Sequence, residues 1–196
     1  MKTPDQIRDL LRDRLFGQNI VQNNFRGELV EEIVASVICP PWRHCSEDWS
    51  SWDFQRDRHL VQIKQTAARQ SWDKATEPLP KRKAIFSIRP NTGYYIGSKW
   101  EPLKPARRLA QIYIFAWHDD ATPEANHYDF QRWKFYVVPT ETLNGLDRKE
   151  PKQSIGVVEL EAVCASAKAK KVGLDGLPYA LEGLTSLETD IDPNKN

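Results

Sequence analysis

The sequence predicts an α/β or α+β domain in which helices flank a mixed β-sheet, and three observations lead there. Two stretches with helical apolar spacing open the chain, at 3–16 and 24–38. An alternating pair of segments at 50–66 reads as antiparallel strands. Two nearly unbroken apolar runs, "AQIYIFAWH" at 110–118 and "WKFYVVP" at 133–139, have the pattern of strands covered on both faces.

The elements follow in order. "TPDQIRDLLRDRLF" offers Thr3 as an N-cap and Pro4 at the first helical position, with Ile7, Leu10, Leu11 and Leu15 at helical spacing. "NNFRGELVEEIVASVI" has a cap signal at Asn24 and one broad stripe of Leu29, Val30, Ile33, Val34 and Val37. The prolines of "CPPW" end it. "SSWDFQ" and "HLVQIKQT" form a hairpin through the turn "RDR". Residues 74–83 read as a Pro- and Lys-rich loop, "AIFSIR" as a strand, and "NTGYYIGSKWEPLKP" as an aromatic loop. After the two apolar strands, "PTETL" suggests a helical turn and "SIGVV" a brief strand. "ELEAVCASAKAKK" and "LPYALEGLTSL" read as helices. One domain spanning 1–196 is expected, with its core at about 24–140. The helix at 3–16 and a helical segment at 155–190 are expected to pack on it.

At 196 residues, 40% hydrophobic with seven Trp, the chain can bury a core. No run of about 18 apolar residues is present, so no membrane span is expected. The first residues lack the apolar centre of a signal peptide, and a cytoplasmic location is the default. Three cysteines, Cys39, Cys45 and Cys164, do not make a disulfide framework and suit a reducing compartment. "CPPWRHC" lacks the second Cys pair that a zinc site would need. The net charge of +1 conceals basic clusters at 81–83, 104–108 and 168–171. Nucleic-acid affinity follows such clusters rather than the total.

One stretch, "WDFQRDRHLVQIKQTAARQ" at 52–70, carries the chemistry. Side chains alternate along a strand, so Gln62 and Lys64 share a face while Ile63 points away. If the hairpin pairs through its turn, Asp53 reaches the level of Gln62. A carboxylate, an amide and an ammonium on one face pack poorly as core. They suit a hydrated Mg²⁺, which takes hard oxygen ligands and leaves positions for water and phosphate.

The spacing Asp53…Gln62-Ile63-Lys64, behind a Glu-bearing helix, resembles the PD-(D/E)xK nuclease superfamily, which includes restriction endonucleases, Mrr-like enzymes and Holliday-junction resolvases. The resemblance covers roughly residues 24–140. It departs from the pattern where Trp52 replaces the proline and where Gln62 replaces the second acid, as in Mrr-like relatives. It implies a restriction-endonuclease-like core running helix, three strands, helix, strand. It also implies Mg²⁺- or Mn²⁺-dependent hydrolysis of DNA phosphodiesters, RNA not being excluded, in bacterial defence or DNA processing. Asp53, Gln62 and the Ile63 carbonyl would hold the metal, and Lys64 would orient the attacking water and stabilise transition-state charge. A third acid is expected from the helix. Glu31, on the border of the apolar stripe at about 100° per residue, ranks first. Glu28, nearly opposite, ranks second, and Gly27 is expected to let helix and sheet approach. Gln65, Thr66, Arg69, Gln70, Lys81, Arg82 and Lys83 are the expected phosphate contacts. A homodimer is compatible with the resemblance. The alternative is a nuclease-fold protein that binds without cutting. Trp42, Trp49, Trp52 and Trp72 are read as core before base-stacking platforms, and His118 with Asp119 and Asp120 as a strand end before a second metal site. His44, His59 and His127 show no Ser or Cys partner in the sequence.

Overall fold

Five helices and ten strands lie among the described residues of a computed structural model, which are 1–45, 50–74, 79, 84–96 and 98–187. Lys81, Arg82, Lys83 and Trp49 lie outside the described residues, as do 188–190 of the C-terminal segment.

The helices at the start form where their signals stand. α1 (Pro4–Phe16) is closed by a capping box: the Gln6 amide donates to Thr3 Oγ1, and the Thr3 amide donates to Gln6 Oε1. No residue of α1 is buried, and Ile7, Leu10 and Leu11 are exposed. Only its end is tied down. Phe16 meets Phe25 edge-on, and its carbonyl accepts from the Tyr128 hydroxyl. The apolar spacing therefore set the helix without packing it against the domain. α2 (Asn23–Ile38) caps at Gln22 rather than Asn24, and it buries Val30, Ile33, Val34 and Ile38. A Cβ at Gly27 would meet open space, so no close helix–sheet approach depends on it.

In the central sheet, β1 (Arg43–His44), β2 (Phe54–Arg56) and β3 (His59–Ala67) are consecutive antiparallel neighbours, and Asp57 turns the hairpin at φ 52°. β7 (Ile112–His118) runs parallel to β3, and β8 (Trp133–Pro139) runs antiparallel to β7. With β10 (Lys170–Val172) antiparallel to β8, the order is β1-β2-β3-β7-β8-β10. Every residue of β7 is buried, as its unbroken apolar run requires. Below the sheet, α2 and α5 (Leu177–Leu187) cover Val61, Ile63, Ile112 and Ile114. Above it, α3 (Thr140–Asn144), α4 (Val157–Ala165) and a small sheet cover Tyr113, Phe115 and Tyr136. That small sheet pairs β4 (Ile85–Ser87) with β9 (Ser154–Gly156). Central mixed sheet and flanking helices are as the sequence predicts.

Three segments differ from expectation. Residues 91–107 form a hairpin, β5 (Asn91–Ile96) and β6 (Lys99–Arg107), instead of an aromatic loop. Tyr95 and Trp100 stack edge-on across it, the kind of aromatic pair that favours strand. The helix expected to run through 171 stops at Ala165; Ala167 takes φ 60° and the chain returns as β10, a short lysine-bearing edge strand. Finally, no described helix lies in the crossover from β3 to β7, where β4 and the hairpin stand instead.

Beside β8, His118, His127 and Trp133 form a buried aromatic cluster. The Val21 amide donates to His127 Nδ1, so the neutral ring carries its proton on Nε2. Among the described residues, His118 Nδ1 has no hydrogen-bond partner. Burial, chiefly, then Arg26 and His118, push the His127 pKa down from 6.5 to about 3. A depressed folded value means the unfolded chain binds the extra proton first. His127 therefore contributes stability in full above pH 6.5, and the contribution is lost as pH falls toward 3. Urea titrations from pH 7 to 4 should show stability falling by at most about 1.4 kcal/mol per pH unit from this group. His127→Asn, which keeps an acceptor for Val21, should flatten that slope. An unchanged slope would place the acid sensitivity elsewhere.

Candidate active site

The hairpin register decides which side chains meet. Phe54 pairs with Val61, so Asp53, one residue before β2, stands opposite Gln62. The Asp53 backbone fixes this position: its amide donates to the Val61 carbonyl, and its carbonyl accepts from the Cys45 amide, each at 2.8 Å. Asp53 Oδ2 then accepts from Gln62 Nε2 at 2.7 Å and from the Ile63 amide at 2.5 Å. Gln62 Nε2 also reaches the Ile63 carbonyl at 3.4 Å. One amide NH₂ thus sits between two oxygens, a carboxylate and a backbone carbonyl.

Lys64 follows on the same sheet face, further along β3 and opposite Phe115 of β7. It has no hydrogen bond or ion pair among the described residues, yet it feels both Asp53 and Glu31. Burial lowers its pKa, and the two carboxylates partly restore it. Asp53 moves the other way, up from 3.8 to about 7. Burial is the main cause and Glu31 the second; the bonds from Ile63 and Gln62 and the charge on Lys64 oppose them.

Glu31 reaches this edge from α2, while Glu28 is exposed. The Glu31 carboxylate is largely enclosed and is held by His44, one of the histidines with no Ser or Cys partner in the sequence. His44 Nε2 lies 3.1 Å from Glu31 Oε2, and its Nδ1 lies 3.7 Å from Glu32 Oε1. The imidazole stacks on Phe54 with 4.6 Å between ring centroids. The partner of His44 is thus neither Ser nor Cys but a helix glutamate thirteen residues earlier, across the "CPP" turn. The usable signal was that "RH" stands opposite "FQ" once β1 pairs with β2.

The expected phosphate contacts divide. Thr66 shares the face of Gln62 and Lys64. Gln65 faces the other way, toward α2, where Gln65 Oε1 accepts from Arg26 Nε at 2.6 Å. Arg69 and Gln70 are interior rather than groove-lining. Arg69 donates to the carbonyls of Ala121 and Lys74, and Gln70 Oε1 accepts from Arg26 Nη1. Arg26 is itself buried among amide oxygens, with Asn23 Oδ1 as a further acceptor, and burial lowers its pKa to about 10. A guanidinium without a carboxylate needs such acceptors, and Gln65 and Gln70 supply them. Among the tryptophans, Trp42 is core, Trp52 is half-buried and Trp72 is exposed.

The oxygen donors at the edge are thus Asp53, Glu31 and the Ile63 carbonyl, with the Gln62 amide among them. Among the described residues, no three His, Cys, Asp or Glu side chains gather as a metal site. The cluster holds two carboxylates and takes its remaining oxygens from amides. Comparisons with protein-family models, curated proteins and solved structures give no match.

The Asp53 shift has a measurable consequence. A raised folded pKa contributes stability in full below 3.8, and that contribution is lost as pH rises through 7. Asp53→Asn removes the buried charge while keeping the size. In EDTA, its melting temperature should exceed that of the parent at pH 8, with the gap shrinking toward pH 4. Equal melting at pH 8 would mean that the carboxylate carries no burial cost.

Proposed function

We propose that the chain is a Mg²⁺- or Mn²⁺-dependent endonuclease that hydrolyses DNA phosphodiester bonds, built on a restriction-endonuclease-like core. The observation that carries this reading is one juxtaposition. A partly buried Asp53 with a raised pKa touches Gln62 and the Ile63 backbone, and Glu31 and Lys64, which has no ion pair among the described residues, lie in its electrostatic reach. Neighbouring negative charges that burial makes costly are relieved by a cation, and a hard divalent ion suits an all-oxygen set.

Asp53, the Ile63 carbonyl and the Gln62 amide oxygen would hold that ion, with Glu31 completing the shell through water. Once bound, it supplies Lewis-acid neutralisation of the attacked phosphate. The chain's own groups do the rest. Lys64, kept below the usual lysine range by burial, orients the nucleophilic water and meets the charge that develops on the phosphate oxygens. His44, stacked on Phe54, holds the Glu31 carboxylate. The reading implies products with 5′-phosphate and 3′-hydroxyl ends, and bacterial defence or DNA processing as the setting.

A second reading, binding without cutting, is favoured by one observation: Gln62 turns its NH₂ toward Asp53, so the amide already compensates the carboxylate without a metal. Plasmid DNA with Mg²⁺ or Mn²⁺ separates the two. The wild type should nick or linearise it, and Lys64→Ala should cut slower by on the order of 10²–10³-fold with folding intact. Asp53→Ala should be inactive. Gln62→Glu should bind Mn²⁺ more tightly in a calorimetric titration. Intact plasmid under all these conditions, with DNA still shifted in a gel, would leave the binding reading standing.

A further inference from the structure

The β5–β6 hairpin belongs to neither core. Among the described residues its strands pair only with each other, and every residue of β6 is at least partly exposed. Two-stranded ribbons are marginal in water unless something holds them. Here the hold is at the root. Arg108, buried immediately after β6, donates to the Ile88 carbonyl, to Asn144 Oδ1, to both carboxylate oxygens of Asp147 and to the Lys152 carbonyl, all within 2.6–3.0 Å. The guanidinium thus pins the ribbon's base to the layer above the sheet.

That base stands on the face where Gln62 and Lys64 point. Tyr113, the β7 partner of Gln62, feels both Arg108 and Asp53. The root of the ribbon, at Arg108, and Asp53 therefore both lie near Tyr113.

Its surface chemistry is one-sided. The described side chains of the ribbon carry Lys99, Lys104 and Arg107 against a single acid, Glu101, which Lys99 already pairs at 2.5 Å. Lys104 and Arg107 are exposed and have no acidic partner among the described residues. Trp100 lays an indole, 46% exposed, across Gly93, where an added Cβ would stand 2.3 Å from the ring. Glycine here makes room for a flat aromatic surface. The six residues of β5, five of them paired with β6, extend about 20 Å, and a two-stranded ribbon is narrow enough for the major groove of B-form DNA, about 12 Å wide.

From this we infer that the β5–β6 ribbon is a DNA-binding arm that enters the major groove with Trp100 near its turn and meets the flanking phosphates with Lys104 and Arg107 toward its root, which makes duplex DNA the substrate presented to the Asp53–Lys64 site. The identity of the substrate rests on the nuclease reading, whereas the ribbon's charge, shape and anchoring are independent of it. A-form duplex RNA has a major groove too deep and narrow to admit the ribbon, so the arm selects against it.

Fluorescence anisotropy of the full chain with a labelled 24-base-pair duplex in EDTA tests the arm without cleavage. Lys104→Ala/Arg107→Ala should weaken binding on the order of 50-fold at 0.1 M salt and reduce the slope of log K against log salt by about 2. An unchanged melting temperature would exclude misfolding, and the conservative Lys104→Arg should bind as the wild type does. Equal affinity of the double variant would overturn the arm, as would equal binding of duplex RNA. Loss of a dimer in sedimentation velocity at unchanged DNA affinity would also overturn it and assign the ribbon to a second copy. The plasmid assay is read separately. Cleavage with an unaffected double variant sinks the arm alone, whereas arm-dependent binding without cleavage sinks the nuclease reading alone.

Discussion

A partly buried carboxylate one residue before β2 is the constraint around which this edge of the protein is organised. Removing Asp53 from water disfavours its charge, and Glu31 nearby disfavours it again. The chain answers with what the hairpin register brings within reach: the Ile63 amide, the Gln62 side chain and the charge on Lys64. These neutral donors and the charge on Lys64 do not cancel the cost, since the pKa of the carboxyl stays at about 7. Such residual strain has no stabilising purpose in a fold that could have placed leucine there. It has a use if the site exchanges that burden for a bound charge.

Much of this was legible because strands have a period of two. Given β2 and β3, the identities of residues 53, 62 and 64 fix which side chains meet, and the helix angle separates Glu31 from the exposed Glu28. The two buried strands were equally legible, since a short, continuous apolar run between turn signals suits an element covered on both faces. What failed was anything that depends on a partner far away in sequence. Arg69 and Gln70 look like groove residues beside a catalytic strand. In the fold they lie inside, because Arg26 on another element needs acceptors and the Ala121 and Lys74 carbonyls need donors. Polar composition cannot reveal which polar groups will satisfy each other.

The opposite failure occurred at α1 and at residues 91–107. Apolar spacing predicts a helix and then assumes that its stripe is covered, but period alone carries no information about a neighbour; Ile7, Leu10 and Leu11 remain in solvent. In the hairpin the glycine and prolines read as breakers. Yet Gly93 is there to seat Trp100, and Pro102 and Pro105 sit on a ribbon with no third strand to need their missing N–H groups. The same residues that argue against a central strand are compatible with an isolated one.

That isolation has a mechanical consequence. Parallel β3 and β7 must be joined by a crossover, and a helix packed on the sheet is the usual solution. Among the described residues the crossover instead runs by way of β4 and the ribbon, so the excursion leaves the strand bearing Gln62 and Lys64 and returns into the strand paired with it. Arg108, at the return, binds α3 and the loop that follows it, which in turn leads into β9 against β4. Both ends of the ribbon are therefore fixed to the layer that covers the Gln62–Lys64 face. A ligand seated on the ribbon would therefore load a root tied by Arg108 to the layer that also covers Gln62 and Lys64.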